Sequence, residues 1–526
     1  MKKIMLTPIL ICLPLLCCCD RHLDQYPHNG ISSELICEED AQLLLTGAYN
    51  IAQYKPTFNG WALFDLIGGD IIRTGASGMN TPELLVTMGI TPNQSIVASP
   101  WNGFYAGLYQ INVFIEKIGQ LPQSQKKDEM LAAGHFFRGL YYYNITARWR
   151  NIPIVTSTID TDVPQTPEEE AWIFVAEEFK EAIRLGSDFQ DKNHVSHQAA
   201  KALLARTYLA MGMMKEAAQV AEEVIADGNF TLSDFNSIFR GGYNREEIFS
   251  FANLVQESSV NMSSYYYTKQ SPVGGAYNFC PTQEAMDMYG PDDSRKSVSV
   301  DYQGSNPVLN KYCSGDAGHD PLYIVRLAEM YLISAEGQGY PEGLGRLNEL
   351  RVHRGLSPAA PASEEEFLDA VLDERRLELF GEGFRWFDLV RTGRYEKTVS
   401  VDSRYTVLPI PARELTLNKR LKQHPLWDAA SDNKNCQVAY LTPYFFRIFL
   451  IFGDMVSTIY RKPRSVGCVP SAVAMCSSPR KPSEDMKYMC LSVFILRLTT
   501  SSAAVCFADS QSSRDRLKFL VSRLSV

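Results

Sequence analysis

The stretch AAKALLARTYLAMGMMKEAAQVAEEVIA, from Ala199 to Ala226, alternates apolar and polar residues with the period of an α-helix. Gly212 interrupts the pattern, and Lys215 and Glu216 open a second repeat of the same kind. A glycine between two amphipathic segments is typical of a tight turn. The stretch therefore predicts two antiparallel helices joined at Gly212.

Small and aromatic residues in this hairpin have the spacing of tetratricopeptide repeats, in which small side chains let two helices approach closely. They are Ala205, Tyr208, Ala217, Ala221 and Val224. A second hairpin begins at Ala328 and Tyr331, with residues 344–354 as its second helix. Residues 131–150 and 168–185 predict further long amphipathic helices. We therefore predict a mainly α protein built on a tetratricopeptide-like helical-repeat platform.

Residues 227–320 differ from the helical segments on either side. They are rich in Gly, Ser, Asn and Tyr and contain only short apolar runs, such as residues 248–254. This composition predicts loops and short strands. Because binding residues tend to lie on irregular segments carried by a rigid scaffold, we expect this loop-rich lobe to contribute to ligand binding.

The charge of the chain is uneven. Residues 428–526 carry 13 Lys and Arg against seven Asp and Glu, which leaves 38 basic and 53 acidic side chains, a net charge of −15, before them. Phosphate binding needs a basic surface. We therefore expect no nucleic-acid partner.

The N-terminus has the pattern of a secretory signal peptide. Lys2 and Lys3 precede a short apolar stretch that ends in Cys17, Cys18 and Cys19. A cysteine at such a position can be acylated, and each buried lipid methylene contributes about 0.8 kcal/mol to membrane attachment. We predict a signal peptide over residues 1–18 and lipidation of Cys19, with Cys18 as the alternative.

The stretch DERRLELFGEGFRWFDLVRTGR, residues 373–394, resembles the near-terminal motif of the SusD/RagB family, E-R-x-x-E-L-x-x-E-G-x-R-W-x-D-L-x-R. The matching residues are Glu374, Arg375, Glu378, Leu379, Glu382, Gly383, Arg385, Trp386, Asp388, Leu389 and Arg391. The resemblance extends over about residues 19–427. It divides the body into an N-terminal helical domain, 19–226, and a C-terminal domain with the loop-rich insertion, 227–427.

The resemblance implies a lipid-anchored, surface-exposed protein of the outer membrane. Family members cap a SusC-like TonB-dependent β-barrel transporter, capture glycans or, in some members, peptides, and catalyse nothing. Two rival functions stay open at this stage, a lipid-anchored glycan hydrolase and an assembly scaffold without a small ligand.

The acidic residues of the motif could suggest a catalytic cluster. However, Glu374, Glu378 and Glu382 repeat every four residues with arginines close by, a spacing that supports ion pairs. We therefore predict a structural network that includes Arg385 and Asp388 and forms around a bend at residues 381–383.

Two regions combine aromatic and polar residues as a sugar site needs. The first, residues 58–73, is predicted as a loop around Gly68 and Gly69, and the second spans residues 261–279. The candidate ligand-binding residues are Asn59, Trp61, Asp70, Arg73, Tyr265, Tyr266, Tyr277 and Asn278. The alternative is that Trp61 and Phe64 are core residues of a helix and that the tyrosines lie in a strand packed on the platform.

No motif predicts a metal, a cofactor or a catalytic residue. His194 and His197 form an H-x-x-H pair without a third ligand nearby in sequence, so we expect capping or surface exposure. Three scattered cysteines in the body, Cys37, Cys280 and Cys313, do not form a disulfide pattern.

Residues 428–526 form an atypical tail. Family members normally end near the equivalent of residues 423–427, whereas here about a hundred further residues follow, which are basic and contain five cysteines. We predict that this tail results from a shifted reading frame, or from a gene end that was assigned too far downstream, and that it does not fold as a domain. The alternative is a genuine appended segment associated with a membrane.

Overall fold

The structure is a computed structural model that describes residues 38–74, 89–160, 162–257 and 260–432. All of them belong to a unit that ends at Asn433. The predicted signal peptide, Cys19 and residues 433–526 of the tail lie outside the described residues, so the predictions for them stay predictions. The division at residues 226 and 227 also stays a prediction.

Helices dominate the described part of the chain, as the sequence predicted. They are α1 Glu38–Tyr54, α2 Thr57–Leu66, α3 Ser95–Gly119, α4 Gln125–Trp149, α5 Glu168–Leu185, α6 His197–Ala210, α7 Met214–Ile225, α8 Phe235–Phe239, α9 Gln283–Asp287, α10 Lys296–Ser299, α11 Leu327–Gln338, α12 Leu344–His353, α13 Glu364–Glu378, α14 Arg385–Arg391, α15 Tyr395–Val399, α16 Ala412–Leu417 and α17 Pro425–Asp432. Within the described ranges, none of these helices combines the length and the apolar character that crossing a bilayer requires.

The long helices pack as a series of neighbours. Helix α1 packs on α3, α3 on α4, α4 on α5, α5 on α6 and α6 on α7, and α7 then packs on α11, which is followed by α12. Two serine caps define where helices in this series start. The Ser124 hydroxyl accepts the N–H of Lys127 at the start of α4, and the Ser196 hydroxyl accepts the N–H of Ala199 at the start of α6.

The predicted hairpin at Gly212 is confirmed. Gly212 has a φ of +73°, in the left-handed region that favours glycine, and it lies between α6 and α7. The contact between α7 and α11 also depends on a glycine, because a Cβ at Gly337 would lie 2.4 Å from the carbonyl oxygen of Met214. Small residues thus let these helices approach closely, as in a tetratricopeptide-like platform.

The lobe between α7 and α11 consists of short helices, turns and two-stranded antiparallel pairs. The strands of the described residues are β1 Ile71–Arg73, β2 Ile152–Pro153, β3 Gln165–Thr166, β4 Glu247–Phe251, β5 Phe279–Pro281, β6 Val300–Gln303, β7 Asn306–Leu309 and β8 Leu322–Arg326. They pair as β1 with β5, β2 with β3, β4 with β8 and β6 with β7. The prediction of loops and short strands over residues 227–320 is confirmed.

The prediction of a loop over residues 58–73 is wrong for its first half, which is α2. This helix is apolar on nearly every face and buries Phe58, Ala62, Leu63, Phe64 and Leu66. A helix that is surrounded by protein has no polar face and therefore no periodic pattern that the sequence could reveal. The predicted turn follows it, since Gly69 has a φ of +91°.

Candidate functional site

The two regions with candidate ligand residues meet in the structure. Strand β1 pairs antiparallel with β5, so that Arg73 lies opposite Phe279. The pairing continues beyond the strands, because the N–H of Thr74 donates to the carbonyl oxygen of Asn278 at 3.0 Å. The end of the first region therefore adjoins the end of the second.

Aromatic rings from three chain segments form what we call the aromatic junction, made of Phe58, Tyr265 and Phe279. The rings of Phe58 and Tyr265 are stacked, with centroids 3.7 Å apart and an interplanar angle of 11°. Phe279 lies 6.2 Å from both rings and is nearly parallel to them. Phe58 and Phe279 are buried, whereas Tyr265 is half-buried, so the junction reaches the protein surface at Tyr265.

Polar candidates lie beside this junction. Arg73, Tyr277 and Asn278 are each half-buried. The Tyr277 hydroxyl donates to the carbonyl oxygen of Pro307 at 3.1 Å, and the Thr74 hydroxyl donates to the carbonyl oxygen of Tyr277. Burial raises the pKa of the Tyr277 phenol above its ordinary value. The phenol is therefore neutral at physiological pH, and its oxygen can accept a further hydrogen bond.

Asn59 is half-buried on α2, next to Phe58. Its Oδ1 atom is buried and accepts no hydrogen bond from the described residues. A buried amide oxygen without a donor costs free energy unless water or a ligand supplies one. Asn59 therefore stays a candidate, on the helix that carries Phe58 of the aromatic junction.

Three candidates, which are Tyr266, Asp70 and Trp61, have extensive contacts inside the protein. Tyr266 is only 1% exposed and packs near Phe58 and Phe279. Asp70 is buried and forms a bidentate ion pair with the guanidinium group of Arg376.

Trp61 is half-buried and donates from Nε1 to the carbonyl oxygen of Gln53 at 2.8 Å. Its ring lies 6.1 Å from that of Phe251. Ligand binding stays a prediction for all eight candidates. The geometry favours the four at the junction and its edge, which are Arg73, Tyr265, Tyr277 and Asn278, and Asn59 remains a candidate through its amide oxygen, which has no partner in the described residues.

Sequence reasoning did not single out Phe58 and Phe279 as parts of the site. Thr74 and Tyr277, which the pairing brings together, are 203 positions apart in the chain. No local pattern reports such a contact, and the composition of the two regions was the signal that pointed to them separately.

Glu374, Glu378 and Glu382 of the acidic motif belong to what we call the buried charge network, as the sequence predicted. Arg385, which the prediction included, lies outside it, with its Nε 3.5 Å from Asp70 Oδ2. The side chains of the network are Glu246, Asp293, Arg295, Lys311, Arg326, Arg354, Glu374, Glu378 and Glu382. Glu378 is at the centre and contacts Arg295, Arg326 and Arg354 at 2.9–3.0 Å. Glu382 is paired with Lys311 at 2.6 Å and with Arg326 at 2.8 Å.

The electrostatics of this network agree with a structural role. Burial alone raises the pKa of Glu378, but the surrounding guanidinium groups hold that pKa well below its ordinary value. A general acid needs the opposite shift, toward neutral pH. Asp388 is likewise paired with Arg375 and Arg391, both at 2.8 Å. The network ties α13 to the lobe, and the pair of Asp388 with Arg375 ties α14 to α13.

Asp65 lies between the two features. This residue of α2 is fully buried, and its Oδ2 accepts the N–H of Gly383 at 2.8 Å. Burial raises the pKa of the Asp65 carboxyl to about 8, against the influence of that hydrogen bond and of Lys311. The group is mainly protonated at neutral pH.

His194 and His197 lie away from these features. His194 Nδ1 is 2.7 Å from Asp191 Oδ2, and His197 begins α6 with its Nε2 3.3 Å from Asp188. Among the described residues, no group of three or more His, Cys, Asp and Glu side chains has an arrangement that could hold a metal ion.

Comparison with known proteins gives two family models. Residues 310–427 match the model described as the SusD family, and residues 21–209 match one described as starch-binding associating with outer membrane. SusD-like protein P38 of Formosa agariphila is 24% identical over 495 residues, which cover 79% of this chain and 97% of that protein.

Solved structures agree in fold. A SusD superfamily protein from Bacteroides thetaiotaomicron is 23% identical, with a TM-score of 0.64 over 74% of this chain and 100% of that one. A laminarin binding SusD-like protein is 24% identical, with a TM-score of 0.63 over the same shares. The two family models together match more than half of the chain, and they show that it belongs to the SusD/RagB family.

Proposed function

We propose that this protein is a surface-exposed lipoprotein of the outer membrane that binds glycan oligomers and delivers them to a SusC-like TonB-dependent transporter. Peptides are the alternative ligand class. The protein catalyses no reaction in this proposal, and Cys19 carries the lipid.

The observation that carries the proposal is the aromatic junction with its polar edge. A sugar ring presents a flat face of C–H groups, which packs on aromatic rings, while amide, guanidinium and phenol groups bond its hydroxyls. Tyr265 supplies ring surface, and Arg73, Tyr277 and Asn278 supply the polar groups. An extended oligomer suits an open surface of this kind better than an enclosed pocket.

The similar proteins suggest which glycan to test first. One solved neighbour is a laminarin binding protein, and one matched family model is described as starch-binding. Laminarin and starch oligosaccharides are therefore the first probes, and a mixture of short peptides tests the alternative ligand class.

Calorimetric titration of the full chain with these probes tests the site. We expect Tyr265→Ala to weaken the affinity for the glycan that binds by about tenfold, or ~1.4 kcal/mol, because it removes a stacking ring. Tyr243→Ala is the matched control, since Tyr243 is 88% exposed and belongs to neither region. Equal affinities of the two variants would show that the glycan binds elsewhere.

The hydrolase alternative has its own test. Incubation of the purified protein with the same glycans is expected to release no reducing ends over time. If reducing ends are released steadily and this release persists through repeated purification, the function is glycan hydrolysis rather than binding.

The anchor and the transporter are tested in cells. We expect metabolic labelling with a palmitate analogue to be lost in Cys19→Ala and kept in Cys18→Ala. We also expect a β-barrel transporter to co-purify with the anchored protein. Labelling that is kept in Cys19→Ala would contradict the anchor as proposed.

A further inference from the structure

A small cavity lies next to α2, beside Trp61 and Phe64 of that helix. Its volume is about 50 Å3, and α2, α4, α6, β8, Arg375 and residues 382–391 supply its walls. Pockets for small organic ligands measure roughly 300–1,000 Å3, whereas a buried water needs roughly 10–15 Å3 of cavity volume. The cavity therefore has room for an ion or a few waters and is too small for a typical organic ligand.

Arg148 in the cavity wall is a buried cation without an acidic partner. It is 1% exposed, donates from Nη1 to the backbone and side-chain oxygens of Asn144 at 2.8 Å, and donates from Nη2 to the carbonyl oxygen of Gly60. The rings of Phe64 and Phe104 lie 4.2 and 5.1 Å from its guanidinium carbon. Among the described residues, no carboxylate forms an ion pair with it.

The cost of this arrangement is electrostatic. Moving an isolated charge into the protein interior is unfavourable unless a counter-charge is near, and aromatic faces offset only part of that cost. Burial accordingly lowers the pKa of the Arg148 guanidinium to about 9. The site would gain most from an added negative charge.

Other cations at the cavity already have acidic partners. Arg206 is paired with Glu329 at 2.5 Å, and Arg391 is paired with Glu336 at 2.5 Å. Arg375 is paired through Nε with Asp388, but its Nη1 is buried and has no hydrogen-bond partner in the described residues.

The Nε atom of Arg148, like Arg375 Nη1, is buried and has no hydrogen-bond partner in the described residues. Both arginines line this cavity. Glu382 and Asp388 line it as well, but each of these carboxylates is already paired with two basic side chains. Two cationic donors are thus available to one small ligand, and only one of the two arginines has a carboxylate that balances its charge.

We propose that the cavity binds a small monovalent anion of the halide class, chloride in the cell's surroundings, held by Arg148 Nε and Arg375 Nη1. A water molecule could satisfy the two donors but would leave the charge of Arg148 uncompensated. The anion would connect α4 to α13 next to α2, the helix that carries Phe58 of the aromatic junction.

Linkage between chloride and folding tests the proposal on the full chain. The folding equilibrium constant is measured by urea denaturation while chloride replaces gluconate at constant sodium concentration. One bound ion makes this constant rise tenfold for each tenfold rise of chloride above the dissociation constant. We expect that response in the wild type.

Two variants separate the cavity from general salt effects. Arg148→Gln removes the unpaired charge without leaving a carboxylate unpaired, and we expect its folding constant to be the same in chloride and gluconate. Arg184→Gln removes an arginine that is 64% exposed, and its chloride response should match the wild type. An Arg148→Gln protein that responds to chloride as the wild type does would overturn the proposal.

A diffraction experiment on the wild type does not depend on the folding of any variant. Crystals grown in sodium bromide are expected to show an anomalous peak in the cavity, within hydrogen-bond distance of Arg148 and Arg375. Density for water alone, without anomalous signal, would also overturn the proposal.

Discussion

The buried charge network and the aromatic junction are the two most chemically distinctive regions of the molecule, and they are built in opposite ways. In the network, full charges are paired at 2.6–3.0 Å and the central side chains of Glu378, Arg326 and Arg354 are almost inaccessible to solvent. In the junction, uncharged rings stack and Tyr265 remains half-buried. No buried side-chain polar atom of the network lacks a hydrogen-bond partner that a ligand could supply. The junction, in contrast, has ring surface and polar atoms at its edge.

The difference teaches that a dense cluster of carboxylates is a weak indicator of a functional site. Five carboxylates of the network face four buried basic groups, with Arg351 as a fifth at its rim. Such compensation fixes the geometry of the chain and suppresses proton transfer. Binding capacity lies instead where segments distant in sequence meet at the surface.

The largest expected effect comes from breaking the network at its centre. Glu378→Gln keeps the size of the side chain but leaves three arginines with less counter-charge, and we expect a loss of about 3–5 kcal/mol in the free energy of unfolding. Urea denaturation measures it. Glu181→Gln is the control, because Glu181 pairs with Arg184 at the surface and should lose less than about 1 kcal/mol.

The comparison also predicts what Glu378→Gln leaves unchanged. Any glycan affinity of the folded variant should equal that of the wild type, because the network has no atoms at the junction. A loss of affinity at a temperature where the variant is fully folded would contradict the separation of the two regions.

A pH experiment sharpens the comparison at Asp65, which lies between the regions. Its pKa is raised from 3.8 to about 8 by burial, so between those values the folded protein holds a proton that the unfolded chain releases. This group therefore stabilises the folded state less and less as the pH rises through that window.

Asp65→Asn removes this dependence. From pH 5 to pH 8 we expect the stability of the variant to rise relative to the wild type by up to about 1.4 kcal/mol per pH unit. Urea denaturation at a series of pH values measures the difference. Parallel curves for the two proteins would mean that Asp65 is ionised in the folded state.

Much of the platform could be predicted from the sequence because its signals are local. The helical period, the glycine at position 212 and the four-residue spacing of Glu374, Glu378 and Glu382 all report contacts within or between adjacent turns. The arginine partners of that motif could be anticipated in kind. Which arginines they are could not, since Arg295 and Arg326 come from distant parts of the lobe.

The candidate site was predictable only in composition. Helix α2 escaped detection because it is buried on almost all sides, and the pairing of β1 with β5 joins short segments without a distinctive pattern. For the same reason the sequence could not separate Tyr265 from Tyr266. These neighbours have the same side chain, but one reaches the surface and the other is 1% exposed.

The smallest expected effect tests the polar edge of the junction. Tyr277→Phe keeps the ring and removes the hydroxyl that donates to Pro307. If the phenol oxygen also accepts from a sugar hydroxyl, the loss of one hydrogen bond weakens glycan affinity about three- to tenfold, or roughly 1 kcal/mol. Calorimetric titration measures it, with Tyr243→Phe as the matched control.

The effect of Tyr277→Phe on the free energy of unfolding must also be measured, because the bond to Pro307 alone contributes up to about 1.5 kcal/mol to stability. A variant that is slightly less stable but binds as tightly as the wild type would show that the hydroxyl serves only the fold. The polar edge would then consist of Arg73 and Asn278. A variant that loses more binding free energy than folding free energy would show that the phenol contacts the ligand. A purely structural bond is present in both the free protein and its complex, so its loss does not change the affinity.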